Sequence, residues 1–496
     1  FDLTAKYRSK AANLRPFRLT DFGNDWTIDY IDERLIQDGN NVIRMSSRGR
    51  GDIYRTLADQ GQPGVFVSPM EFFTKIRTLG NGDVVIRDFD GEQRTYKAFT
   101  DANIPGRLIR QEDRNGNFLT FLYSQIDPND QVTGDEKYVL TTVTDSMGRD
   151  IRFCYFARTV QPEDAEGFDR ITTTDGTDPD KYGLLAQVSD FRREVNDPDE
   201  PRTNATPDGR TVKFDYYIAA DAGGNVGDLK SITSPTVENT PNGNDFDEGK
   251  TTVFTYTKIS DAQIAANPKM KRLKSNLLAI VAPNEVAASG PASTVIEYYE
   301  EPANETTFDR VKKYSLGGTN ASGVKAGGYM EYTYTELAPN LDAPTSVVMN
   351  LPKLQIGVTD RNGNSTQYKY SGYGPILEKK ESTRGLRSSD PQFYLQSYAF
   401  SEDKQPLHVA NAEGGFTDYE YDSTSSDRHQ QGNVLRTTAT ADSRGGDQTT
   451  IVNCGVCGGG KPAYEPIFGQ TRRIIDPRGV DEDYIPSIVD PVTRTK

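Results

Sequence analysis

Few residues in this chain have both the type and the spacing that chemistry needs. Cys454 and Cys457 form a Cys-x-x-Cys inside the run Asn453-Cys454-Gly455-Val456-Cys457-Gly458-Gly459-Gly460, and Cys154 is the third cysteine. Two thiols at that spacing can close a local disulfide, stay free, or serve a metal or a redox couple, and the redox compartment decides among the three. A zinc site wants two more ligands, but the two histidines, His408 and His429, have no ligand spacing to the pair. A thioredoxin-like role wants the motif to open a helix, and the glycine run opposes that. Cys154, between Phe153 and Tyr155, reads as a lone packing thiol facing away from those aromatics.

Other constellations are thinner. The stretches 241–248 and 196–200 concentrate the oxygen ligands that calcium takes, but the first lacks EF-hand spacing and a solvated acidic loop is the simpler reading. Carboxylate pairs for glycoside hydrolysis require a separation across a cleft, which sequence does not give. With two histidines and neither in a recognisable motif, Ser-His-Asp or Cys-His catalysis has no positive support. Gly317-Gly318 and Gly327-Gly328 lack the Lys-Ser/Thr of a phosphate loop and read as turns or bulges beside a strand. The expectation is a non-catalytic protein with no cofactor and no metal.

The element that must position any site is a repeat. Seven glycines, Gly116, Gly148, Gly209, Gly249, Gly327, Gly363 and Gly414, are each followed by an aromatic residue five positions on and a tyrosine seven positions on. The pairs are Phe121/Tyr123, Phe153/Tyr155, Phe214/Tyr216, Phe254/Tyr256, Tyr332/Tyr334, Tyr368/Tyr370 and Tyr419/Tyr421. Composition alone would give about 0.2 such matches, so the register is a repeat. Asp113, Asp145, Asp360 and Asn411 stand three positions before four of these glycines. Asp or Asn opening a type I turn bonds its own backbone, and a glycine at the fourth position accepts positive φ. Aromatics two apart then share one face of a strand, and a second strand such as Leu140 to Val143 or Leu277 to Val281 returns. Stacked hairpins are held along such aromatic stripes, so these tyrosines specify an architecture.

At these residues the chain resembles the YD-repeat, or RHS-repeat, family. Asp113-Arg114-Asn115-Gly116-Asn117 leading to Phe121 and Tyr123 is similar to the family's unit, and Asp360-Arg361-Asn362-Gly363-Asn364 leading to Tyr370 repeats it. Gly106-Arg107-Leu108 and Gly432-Asn433-Val434-Leu435 resemble the family's short strand, and Tyr464-Glu465-Pro466 followed by Asp476-Pro477-Arg478-Gly479 resembles its spacing. Phe22-Gly23-Asn24-Asp25-Trp26 with Tyr30 and Leu35 resembles the β-rich region that precedes the repeats. The units depart from regularity. Thr206, Phe246 and Val324 replace the acidic turn residue, the turns at Asp442/Gly445 and Asp476/Gly479 lack the aromatic pair, and successive glycines lie 32 to 78 residues apart. Some family members coil their repeats into a hollow β-shell around a C-terminal toxin that core aspartates release. No second core aspartate aligns here, so no catalytic residue is carried over, and the expectation is a fragment or mature chain without the toxin-bearing region.

The resemblance implies an all-β fold: irregular YD-type β-hairpin repeats forming a long, coiled or curled antiparallel sheet, solenoid or shell-like, behind a β-rich N-terminal region. The expected divisions are 1–105 for that region, 106–445 for degenerate repeats with long inserts such as 156–181 and 218–250, and 446–496 for a Cys/Gly-rich segment with a terminal partial repeat. Apolar residues at 35% agree with extended β surface, and only Ser260 to Ala266 reads as a short helix. A net charge of −15 argues against nucleic acid, and no run of 18 apolar residues is present to span a bilayer. The chain begins at Phe1, so either a leader was removed or this is an interior piece, and the resemblance favours a secreted or cell-surface protein. Asn204, Asn304, Asn320 and Asn364 lie in Asn-x-Ser/Thr sequons. Three functions fit: a self-assembling surface scaffold partnered by its own copies or other surface proteins, the shell of a toxin-delivery protein, and a carbohydrate-binding adhesin.

Overall fold

The computed structural model describes residues 4–7, 21–28, 30–46, 50–69, 72–88, 91–129, 131–134, 136–158, 178–190, 211–237, 245–318, 326–337, 349–383, 389, 391–422, 428 and 431–441, with the backbone of strands Gln448–Ile451, Arg473–Ile475 and Asp481–Asp483. The fold is all-β. From Gly51–Leu57 to Asp481–Asp483 every strand pairs antiparallel with the strand before it in sequence. Arg34–Asp38 and Asn41–Met45 extend this meander at its N-terminal end. Asp261–Ala266 and Pro283–Ala287 are the α-helices among the described residues, the first opened by a Ser260–Gln263 capping box. Among the described residues no helix is long and apolar enough to cross a membrane.

The sheet is curled, and the cause sits one residue before the tyrosines. The ladder register shifts between Leu122 and Tyr123, Cys154 and Tyr155, Asp215 and Tyr216, Thr255 and Tyr256, Glu297 and Tyr298, Lys369 and Tyr370, and Glu420 and Tyr421. Each such bulge bends its strand and raises the local twist, so a bulge repeated at one end of alternate strands coils the sheet toward the tyrosine side. The extent of coiling follows from one long-range contact. About twenty interstrand steps separate Gln62–Val67 from Phe416–Tyr421, which in a flat sheet would be about 100 Å. Arg428 nonetheless donates to the carbonyl of Pro69 at 3.2 Å. Among the described residues no backbone ladder joins the two ends, so strand pairing does not close the coil.

Side-chain alternation sorts the two faces. Phe121, Tyr123, Phe153, Tyr155, Phe214, Tyr216, Phe254 and Tyr256 are buried in one contiguous core. Residues 21–35 run through that core, contributing Phe22, Trp26, Ile28, Ile31 and Leu35. Leu35 N–H bonds the carbonyl of Gly106 at 2.8 Å, and a Cβ on Gly106 would stand 2.0 Å from the Leu35 carbonyl oxygen, so only glycine permits this crossing.

Gly116 and Gly363 have φ of +85° and +74°, and a Cβ on Gly116 would lie in open space. Valine at either position is therefore expected to destabilise by about 1 kcal/mol or more, at Gly116 through the backbone alone. Gly106→Ala is expected to cost more than either, because it also displaces residue 35. Chemical-denaturation midpoints of the three variants test this ordering.

Candidate functional site

The turns are built by carboxylates bonding forward along their own chain. Asp113 Oδ1 accepts from the N–H groups of Asn115 at 2.8 Å and Asn117 at 2.9 Å, while Oδ2 takes the Asn117 amide at 2.8 Å. Asp360 does the same with Asn362 and Asn364, each at 2.8 Å, and Asn411 with Glu413 and Gly415, each at 3.0 Å. Asp145 takes Met147 and Arg149 N–H at 2.9 Å and the Arg149 Nε at 2.6 Å. Gly116, Gly148, Gly363 and Gly414 all carry positive φ at the fourth position. In the unit of Gly327 it is Gly328 that does so, at +73°. Gly209, with Thr206, lies outside the described residues. The Asn364 amide is engaged by its turn, whereas Asn304 is exposed.

After each turn the tyrosine hydroxyl reaches one strand back. Tyr123 donates to the carbonyl of Leu108 at 3.0 Å, Tyr155 to Leu140 at 2.8 Å, Tyr216 to Leu185 at 2.7 Å and Tyr256 to Leu229 at 2.7 Å. Tyr298 continues the row to Leu277 at 3.0 Å and Tyr334 to Val311 at 2.9 Å. The accepting residue is the one that the preceding tyrosine faces across its bulge: Leu140 opposes Tyr123, Leu185 opposes Tyr155, Leu229 opposes Tyr216 and Leu277 opposes Tyr256. The bulge interrupts the ladder there, and the next tyrosine occupies the interrupted position. Burial, followed by the charge of Asp21, holds Tyr155 and Tyr216 well above the ordinary phenol range, so they remain donors.

Over the first half of the coil this face is covered. Phe22 packs edge-on against Phe214 at 4.8 Å, Trp26 against Phe254 at 5.0 Å, and Tyr30 lies 5.4 Å from Phe121. Trp26 Nε1 donates to the Tyr256 hydroxyl at 2.8 Å, and the Tyr7 hydroxyl donates to the Ser275 carbonyl at 2.6 Å. Asp21 binds Lys137 at 2.6 Å, and its carbonyl takes the Leu185 N–H at 2.6 Å. At the start of the row Tyr96 bonds Glu33 instead of a carbonyl. Glu33 sits 3.3 Å from Arg44 and 3.8 Å from Arg94, and both arginines also pair with Asp88. Burial raises the Glu33 carboxyl, but the two guanidiniums outweigh it and hold it low, so it stays charged and ties the N-terminal segment to the sheet.

Over the second half, among the described residues, the covering ends. The contiguous core stops at Leu277, with Ile280 and Ile296 packed on it. Tyr332, Tyr334, Tyr368, Tyr370, Tyr419 and Tyr421 continue the stripe but are half-buried. Burial pushes Tyr334 and Tyr421 up to about 12, a milder effect than in the buried row. The opposite face carries charged pairs such as Lys369–Glu378 at 2.9 Å, and His408 Nδ1 lies 2.7 Å from Asp418. The structure therefore presents a tyrosine-lined surface that is apolar in its rings and hydrogen-bonding at its tips.

The remaining sequence candidates do not converge on it. Cys454, Cys457, His429, residues 196–200 and 241–244, Asn204, Asn320, Tyr464 and Asp476 to Gly479 lie outside the described residues, and Cys154 is half-buried on strand Asp150–Tyr155. Among the described residues no group of three or more His, Cys, Asp or Glu is placed to hold a metal. Sequence reasoning missed Tyr96 and Tyr298. Arg94 and Ile296 stand where the register wants an aromatic, and the signal that would have found them is a strand-ending tyrosine before a turn and a leucine or valine.

No family model and no curated protein matches the chain. Solved structures resemble it at low level. A TcdB2–TccC3 crystal structure is 13% identical over 91% of this chain and 22% of its own, with a TM-score of 0.23. The Photorhabdus luminescens Tc holotoxin pore is 13% identical over 88% of this chain and 22% of its own, TM-score 0.23. The N-terminal domain of the effector SpvB from Salmonella typhimurium is 14% identical over 61% of this chain and 90% of its own, TM-score 0.20. The chain thus spans about a fifth of the length of the Tc structures, and superposition this weak carries no argument about function.

Tyr216→Phe leaves the buried Leu185 carbonyl without its donor and is expected to cost about 1 to 2 kcal/mol, whereas Tyr421→Phe, on the half-buried stretch, is expected to cost less than about 0.5. Equal losses in unfolding free energy would remove the hydroxyl row as a stabilising feature. The turns give a pH signature. Burial raises Asp113, but bonds from Asn117 and Asn115 outweigh it, and Arg149 lowers Asp145, so both carboxyls titrate below their unfolded value. Their contribution is full above about pH 3.9 and is lost as pH falls through the folded values. The thermal midpoint is expected to fall with acid below about pH 4, and to fall less in Asp113→Asn/Asp145→Asn, followed by circular dichroism.

Proposed function

We propose that this chain is a non-catalytic, exported structural protein of the YD-repeat kind, whose coiled sheet forms a wall that encloses polypeptide against its tyrosine face. One observation carries this reading. The face that closes over the chain's own residues 21–35 in the first half continues, with the same aromatic spacing, into the second, where among the described residues the contiguous core has ended. Rings take up apolar side chains of many shapes and hydroxyls take up backbone, so such a lining suits polypeptide without demanding one sequence. The charged outer face keeps the wall in water. The shell reading made from the repeats thereby gains over the adhesin, which wants exposed aromatics beside Asp and Asn in a groove.

A second reading, self-assembly, draws on a different surface. Tyr329, Phe393 and Leu395 are 42%, 40% and 40% exposed on strands of the second half, more apolar surface than a solvated wall requires. Electron microscopy with solution mass at several concentrations separates the two. A monodisperse particle with a stain-filled interior is the expected result. Filaments, sheets or a mass that rises with concentration would replace enclosure by assembly.

A further inference from the structure

The coil has a seam, and among the described residues it is held by side chains and not by a strand ladder. Arg428, with a side chain 12% exposed, grips Asp403 through two nitrogens at 2.7 and 3.2 Å and donates to the Gln431 amide oxygen at 2.8 Å. The same guanidinium donates to Ser68 Oγ at 3.3 Å and to the Pro69 carbonyl at 3.2 Å, and lies 4.6 Å over the ring of Phe73. Gly432 meets that ring so closely that a Cβ would stand 2.7 Å from it.

The 401–405 turn supplies the rest. Ser401 N–H bonds the Gln405 carbonyl at 2.9 Å and Lys404 N–H bonds the Ser401 carbonyl at 3.0 Å, the same hydrogen-bond frame as in the Asp113 turn. Lys404 occupies the position that the repeat gives to glycine, with φ of +59°, a conformation a lysine keeps only where its surroundings impose it. Its ammonium is held below the ordinary range by burial and then by the charge of Arg50, with Asp52 opposing. Arg50 in turn covers Phe72 at 4.7 Å and pairs with Asp52 at 2.5 Å.

We infer that this seam is a releasable latch: the coil opens where the Asp403 and Arg428 turns meet Ser68, Pro69 and Phe73, while strand pairing stays intact. Adjacent strands elsewhere are tied by runs of backbone hydrogen bonds and by the buried tyrosine row, so separating them breaks the sheet. Among the described residues the seam is bridged by side chains, the Arg428 guanidinium and the Phe73 ring foremost, and by a strained turn, and no ladder crosses it. As a gate to the tyrosine face it rests on the enclosing role proposed above. The measurement below reads the seam alone, whereas microscopy reads enclosure alone, so either can fail without the other.

The test places spin labels at Arg77→Cys and Glu420→Cys, both exposed, with Cys154, Cys454 and Cys457 changed to serine. Arg428→Ala is expected to lengthen the interlabel distance by roughly two strand spacings, about 10 Å, or more, with the far-ultraviolet circular dichroism unchanged. Arg428→Lys, which keeps the charge and loses the fork, is expected to fall between. An unchanged distance in both Arg428→Ala and Phe73→Ala overturns the latch. Should Arg428→Ala fail to fold, the labelled chain with Arg428 intact is titrated with urea: lengthening before loss of sheet signal supports the latch, and simultaneous loss overturns it.

Discussion

The hydrogen bond from a repeat tyrosine to the carbonyl one strand back is the interaction on which the rest depends. Tyr155 needs the Leu140 carbonyl to be unclaimed, and it is unclaimed because the bulge at Tyr123 interrupts the ladder opposite Leu140. Each unit therefore prepares the acceptor for the next. A single neutral bond of this type contributes about 0.5 to 1.5 kcal/mol, but the row runs through buried surroundings, where leaving either partner unpaired costs more than the bond returns. The same bulge that frees the carbonyl bends the strand, so curvature and cohesion come from one feature. A flat sheet of this sequence would lose both.

Curvature then poses a problem of filling. A coiled sheet with aromatic side chains inside must either close on itself or be occupied. The first half is occupied by residues 21–35, whose Phe22, Trp26 and Tyr30 stand edge-on or tilted to the sheet aromatics. The anchors at its ends are ionic: Asp21 with Lys137, and Glu33 between Arg44 and Arg94. Buried ion pairs add little net stability but are costly to break singly, so they fix where the segment sits. The second half has the same aromatic spacing without such an occupant among the described residues, and the functional proposal grows from that contrast.

Much of the repeat was legible because its signals are local. Asp113 and Gly116, Asp145 and Gly148, Asp360 and Gly363, and Asn411 and Gly414 form their turns from bonds spanning two to four residues, and the aromatic pairs that follow share a face because strand geometry has period two. Units that dropped the glycine or the first aromatic, those of Tyr96 and Tyr298, escaped the register although their tyrosines take the same place in the sheet.

The chain by itself determined an all-β meander of aspartate-launched strands with one tyrosine face, since turn chemistry and alternation act over a few residues. Tertiary structure alone decided which carbonyl each tyrosine meets, that residues 21–35 fill half the coil, and that Arg428 reaches Ser68 across 360 positions. Those pairings depend on how far repeated bulges turn the sheet. Small bends summed over many strands set that angle, and no single stretch of sequence records it.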